Sequence, residues 1–160
     1  LFNGRPFAKF ISMDELKNTV AGKKIPELMI MEYLDGDELK IDPVSNNGEV
    51  LVCSVKLRMN FASGLGMNYE LIKDDSSIGY VKKVMEFLPM DYCVDVSTRG
   101  GVLMEINPRV STYIYSDDYC PPYLSLKLAM GEMDEKEIKK YQNNIPIGKR
   151  LFRYYGQIDY

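Results

Sequence analysis

Short apolar runs and alternating stretches fill this chain, and most end at a glycine, a proline or an Asx-Gly pair. Leu39 and Ile41 alternate with polar neighbours, Asn47-Gly48 supplies a turn, and Val50 to Leu57 continues as a strand, which predicts a hairpin. Pro43 lacks a donor and places the first of these strands near an edge or a bulge. Phe7 to Ile11, the buried-looking run Leu28 to Leu34, Met67 to Ile72 and Lys149 to Tyr155 are further strand candidates. Helices are marked by their caps. Ser12 with Glu15 forms a capping box closed at Gly22. Ile78, Val81, Met85 and Leu88 recur at helical spacing from Ser76 or Ser77 to Pro89. Leu124 to Met130 stops at Gly131, and Asp134 to Glu137 caps another helix. This order predicts an α+β fold, an antiparallel sheet with helices packed on one face.

One hairpin carries chemistry as well as shape. Ser97-Thr98-Arg99-Gly100-Gly101 reads as a turn between a strand ending in Asp95 and a strand Met104-Glu105-Ile106-Asn107-Pro108-Arg109. In an extended strand Glu105, Asn107 and Arg109 share one face while Met104 and Ile106 share the other. An odd loop, Arg99 to Gly101, sets Asp95 directly opposite Glu105, and a one-residue slip sets it opposite Met104 on the wrong face. Directly opposed residues have Cβ atoms roughly 4.5–5.5 Å apart, so both carboxylates reach one cation. Two carboxylates and an amide oxygen suit magnesium, which takes few protein ligands and leaves the rest to water and phosphate. The same residues also suit a solvated hairpin face, and spacing alone does not choose.

Composition narrows the chemistry. The chain has 160 residues, 46% hydrophobic and 27% charged, enough for one domain and part of another with a sizeable core. No apolar run approaches the roughly 18 residues needed to cross a bilayer, so no membrane span is expected. A net charge of −3, with dispersed lysines and arginines, argues against nucleic acid as partner. Cys53, Cys93 and Cys120 lack metal-type spacing and read as reduced thiols of a cytoplasmic protein. The absence of histidine removes Ser-His and Cys-His nucleophiles and histidine-ligated zinc. What remains is carboxylate, lysine, arginine, backbone amide and bound metal. A first residue of Leu1 suggests a piece of something larger.

These motifs together resemble the ATP-grasp superfamily, and most closely the carbamoyl-phosphate synthetase large-subunit group. Met31-Glu32-Tyr33-Leu34-Asp35-Gly36-Asp37-Glu38 is similar to that family's hinge. The resemblance implies that Glu32 and Leu34 line the adenine of ATP and that Glu38 takes the ribose hydroxyls. It further implies that Asp95, Glu105 and Asn107 are the metal ligands, for magnesium or manganese, and that Arg109 contacts the transferred phosphoryl group. Arg58 matches a position that contacts acyl substrate or phosphate in some relatives. Residues Pro122 to Gly131 resemble the helix after the family's substrate loop, and the tyrosine-rich loop over 111–122 is expected to help select substrate. Only Asn3-Gly4-Arg5 resembles the tail of the family's glycine-rich flap, and Lys9 is not convincingly its phosphate-gripping lysine. The implied organisation is therefore truncated at the N-terminus: residues 1–34 as a remnant of the smaller nucleotide-binding subdomain with the hinge strand, and residues 35–160 as the C-terminal subdomain with the metal site.

The implied activity is ligation of a small-molecule carboxylate to an amine through an acyl phosphate, dependent on ATP and magnesium. The isolated chain is expected to be inactive and to bind nucleotide weakly. The alternative is a non-catalytic ATP-grasp-like nucleotide-binding or regulatory module.

Overall fold

Ser12 opens the first helix, α1 (Met13–Val20), with the predicted box: its Oγ accepts the Glu15 N–H at 3.2 Å and its own N–H donates to the Glu15 carboxylate at 2.9 Å. Gly22, at φ 66°, follows it. The computed structural model to which α1 belongs describes residues 11–22, 29–62, 65–111 and 116–153, and the chain divides into two compact units, 1–34 and 35–160. In the first unit, residues 29–34 are neither helix nor strand, and Met29, Ile30 and Met31 are exposed. The buried strand predicted over Leu28 to Leu34 is not formed. An apolar run becomes a strand only where a neighbour completes its ladder, and among the described residues none pairs with it. The strand predicted from Phe7, the Asn3-Gly4-Arg5 segment and Lys9 lie outside the described residues.

The second unit is built on a sheet. Its elements are β1 (Glu38–Asn46), β2 (Glu49–Ala62), β3 (Leu65–Ile72), α2 (Asp75–Phe87), β4 (Tyr92–Cys93), β5 (Asp95–Arg99), β6 (Val102–Asn107), α3 (Pro121–Ala129), α4 (Glu135–Lys140), a 3-10 turn (Tyr141–Asn144) and β7 (Arg150–Phe152). All pairings are antiparallel, in the order β6-β5-β1-β2-β3-β7, with β4 on β1 beside β5. Asn47 and Gly48, both at positive φ, make the expected two-residue turn between β1 and β2. Pro43 sits inside the central β1, where its partner changes from β5 to β4, and a register shift follows between Val44 and Ser45. A residue without N–H fits at that break. Helix α2 starts earlier than predicted, because Asp74 rather than a serine caps it, accepting the Ser77 N–H at 3.0 Å.

Strand parity separates two cores. Ile41, Cys53, Val55 and Val96 point to one face and pack with Val81 and Met85 of α2. Val44 and Val52, of opposite parity, pack on the other face with Leu124 of α3 and Ile138 of α4. Helices therefore cover both faces, not the single one predicted. Helices α3 and α4 pack on the second face near the Val44–Val52 end of β1 and β2. Toward Glu38 and Arg58 that face carries charged side chains, and the candidate residues of the β5–β6 hairpin lie there.

Candidate metal and phosphate site

The β5–β6 hairpin turns through Gly100 and Gly101, at φ 54° and 79°, so its loop has two residues, not the three predicted. Arg99 pairs with Val102 and Thr98 with Leu103. Continued unbroken, that register would set Asp95 opposite Ile106 and turn Glu105 and Asn107 to the core side. The ladder instead shifts between Ser97 and Thr98, leaving Met104 as the extra residue of a bulge. Beyond it Ser97 pairs with Glu105 and Asp95 with Asn107. The direct opposition of Asp95 and Glu105 is thus corrected by one pair along the strand, but parity is kept and both carboxylates remain on the polar face.

Gly100 also ties this hairpin to the turn before β1, donating its N–H to the Asp37 carbonyl at 3.1 Å. Arg109 does not extend β6. Its N–H donates to the Asn107 carbonyl at 2.7 Å across Pro108, a tight turn that carries the guanidinium back over the hairpin. There Nη1 meets Asp95 Oδ2 at 3.2 Å. Asn107 Nδ2 approaches the same oxygen at 3.5 Å. The Asp95 side chain is only 3% exposed, and its other oxygen, Oδ1, accepts no hydrogen bond. Facing Oδ1 at 3.6 Å is the ammonium of Lys40, which donates to Glu105 Oε1 at 3.0 Å and to the Ser97 hydroxyl. The hydrogen bond from Lys40 holds the Glu105 carboxyl below its ordinary range, against a smaller opposing effect of burial.

Lys40 reaches this point because β1 pairs Lys40 with Ser97 on one side and with Lys56 on the other. Lys56, fully buried, forms an ion pair with Asp42 at 2.5 Å and donates to Ser111 Oγ at 2.8 Å. Ser111 in turn donates to Asp42 Oδ1 at 2.5 Å, and the Tyr69 ring lies 5.6 Å from the ammonium. Burial pushes the Asp42 carboxyl up, while Lys56 and Ser111 pull it down. Glu38 and Arg58, opposite each other on β1 and β2, form a half-buried ion pair. One continuous polar face therefore carries Glu38, Lys40, Asp42, Lys56, Arg58, Asp95, Ser97, Glu105 and Asn107.

Of the predicted site residues, Asp95, Glu105, Asn107 and Arg109 are brought into one cluster, and Glu38 and Arg58 are brought into one pair. Exposed Glu32 and half-buried Leu34 belong to the 1–34 unit and are adjacent to none of these in the ladders described. Within the tyrosine-rich loop, Ser116 and Tyr119 form an isolated bridge, and residues 112–115 lie outside the described residues. Lys40, Asp42, Lys56 and Ser97 were missed. Their signal was parity: Glu38, Lys40 and Asp42 alternate on β1, and Lys56 and Arg58 on β2. The three thiols are free; burial pushes Cys53 up strongly and Cys93 up to about 11.

The cluster fits a hard divalent cation. Both carboxylates aim an oxygen at one cationic point, and Asp95 Oδ1 lacks the hydrogen bond that a buried carboxylate oxygen ordinarily has. Among the described residues no three His, Cys, Asp or Glu side chains gather as a metal group. A site of two carboxylates and an amide is nonetheless within what magnesium accepts from protein.

A family model described as ATP-grasp in the biosynthetic pathway with Ter operon matches residues 24–148. No curated protein matches the chain. The matched span takes in the sheet through β6, the β5–β6 hairpin and helices α2 to α4, and on that coverage the chain belongs to this ATP-grasp family.

Proposed function

We propose that this protein is an ATP- and magnesium-dependent ligase that activates a small carboxylate as an acyl phosphate and passes it to a nucleophile such as an amine. The observation that supports this reading is the convergence of exposed Glu105 and Arg109 and half-buried Asn107 on buried Asp95 at the polar face. ATP-grasp membership supports the ATP-dependent ligase fold. It does not extend to the carbamoyl-phosphate branch, so the carboxylate and amine are proposed by class alone.

Asp95, Glu105 and Asn107 would hold the metal, which when bound supplies charge neutralisation between the phosphates of ATP. Arg109, already anchored on Asp95, presents its guanidinium to charge that builds on the transferred phosphoryl group. Phosphoryl transfer is catalysed chiefly by positioning and electrostatics, which needs no histidine. Glu38, held by Arg58 at the start of β1, is the ribose contact in this reading, with Glu32 and Leu34 at the adenine. Arg58, paired with Glu38 on the same face, would contact the carboxylate or its phosphate.

The test is magnesium-dependent ATP turnover by the purified protein with a panel of small carboxylates and amines. Asp95→Asn and Glu105→Gln are expected to lower turnover by about 10²–10³ or more. Turnover that survives in both variants refutes the metal assignment.

A further inference from the structure

Lys40 stands where a metal should. Its ammonium is 3.0 Å from Glu105 Oε1 and 3.6 Å from Asp95 Oδ1, and it donates to Ser97 between them. Its side chain is 13% exposed, and the Asp95 carboxylate beneath it 3%. Two antiparallel strands would otherwise hold two negative groups near each other on one face, and like charges there repel. Arg109 answers only Oδ2 of Asp95. Lys40 answers the rest.

We propose that the Lys40 ammonium is a resident cation that keeps the two carboxylates charged and aligned, and that a divalent ion must displace it to load the site. This rests on the metal assignment under Proposed function. An ammonium and a divalent ion cannot share the same two oxygens, because the ion needs them at about 2.0–2.1 Å. Before loading, two carboxylates are offset by Lys40 and Arg109, so the cluster is neutral. After loading it turns positive, and the displaced ammonium, tethered by its stem, stays in the same cleft. A positive cluster is what the phosphates of a nucleotide require. Metal alone should therefore bind weakly, opposed by both cations.

The experiment titrates manganese, without nucleotide, into wild type and Lys40→Met, with bound metal read by paramagnetic resonance. Lys40→Met is expected to bind manganese roughly 5–150-fold more tightly, the ordinary range of coupling between two ligands. In wild type, an amine-acylating reagent read by mass spectrometry should label Lys40 more when manganese is added, while buried Lys56 stays unlabelled. If Lys40→Met does not fold, the wild-type labelling decides alone. Manganese bound by wild type with Lys40 labelling unmoved, or with no gain in Lys40→Met, overturns the displacement and leaves the metal site standing. No manganese binding by either protein overturns both, and Asp95→Asn, which should abolish binding that wild type shows, tells these outcomes apart.

Discussion

Replacing Lys56 by methionine removes the one cation under the buried end of the polar face while keeping the length of its stem. In wild type Lys56 is fully buried, its ammonium 2.5 Å from Asp42, whose side chain is 6% exposed. The variant leaves that carboxylate with the Ser111 hydroxyl, and an uncompensated buried charge of this kind costs about 3–5 kcal/mol. Against a total stability of about 5–15 kcal/mol, that is roughly a fifth or more. The loss also has a pH signature. Burial already raises the Asp42 carboxyl above its ordinary 3.8, and without Lys56 the two lowering effects of that lysine vanish, so it rises further. The folded variant then holds a proton that the unfolded chain releases, and stability falls as pH rises above the unfolded value. The slope approaches about 1.4 kcal/mol per pH unit in that window. Urea unfolding at pH 7 and pH 5 should show the Lys56→Met penalty shrinking at the lower pH with the slope of the transition unchanged. Adding Asp42→Asn should return most of the lost stability. A penalty equal at both pH values, or a double variant no better than Lys56→Met, refutes the reasoning.

Asp74→Ala should destabilise by about 0.5–2 kcal/mol through loss of the α2 cap. The Ser77 N–H holds the Asp74 carboxyl below its usual range, so this contribution is present above the unfolded value and should disappear as pH falls through the lowered one, as acid titration of both proteins would show. Gly100→Ala should cost more than 1 kcal/mol on the order of a strained turn, since its Cβ would meet the Asp35 carbonyl oxygen at 2.2 Å with φ at +54°. Chemical denaturation checks it, and Gly101→Ala, whose Cβ meets nothing within 4 Å, should cost less. Native protein treated with a thiol reagent at pH 8 should leave Cys53 and Cys93 unmodified, because burial keeps both protonated; mass spectrometry after digestion reads it.

The elements legible in the chain were those whose signal is local. Ser12 with Glu15 and Asp134 with Glu137 each satisfy their own backbone groups, and Asn47-Gly48 supplies the positive φ its turn needs, so the signal in each case lies in adjacent residues. The run 29–34 failed for the opposite reason: its apolar residues need a partner strand, and periodicity does not say whether one arrives. The second helical face follows from the parity of Val44 and Val52, and the register shift after Val44 widens it by sending Leu51 to join them against α3 and α4. No short motif announces such a shift.

The clustering of the candidate residues was legible in the sequence and their register was not. Asp95, Glu105, Asn107 and Arg109 were found because the spacing kept two acids on one face, yet the face survives only because a second irregularity cancels the first. A two-residue turn alone would carry Glu105 and Asn107 to the core side, while the pairing of β5 with β1 holds Asp95 on the polar face; the bulge at Met104 restores them. Parity arguments are blind to such paired errors, since each shifts the strand by one and the sum leaves the pattern intact. Lys40 was missed for a related reason. Within Glu38-Leu39-Lys40-Ile41-Asp42 it looks like an alternating surface charge, and only the pairing of β1 with β5 sets it between carboxylates 55 and 65 positions away. The cation that completes a site is the part most distant in sequence from the anions that define it.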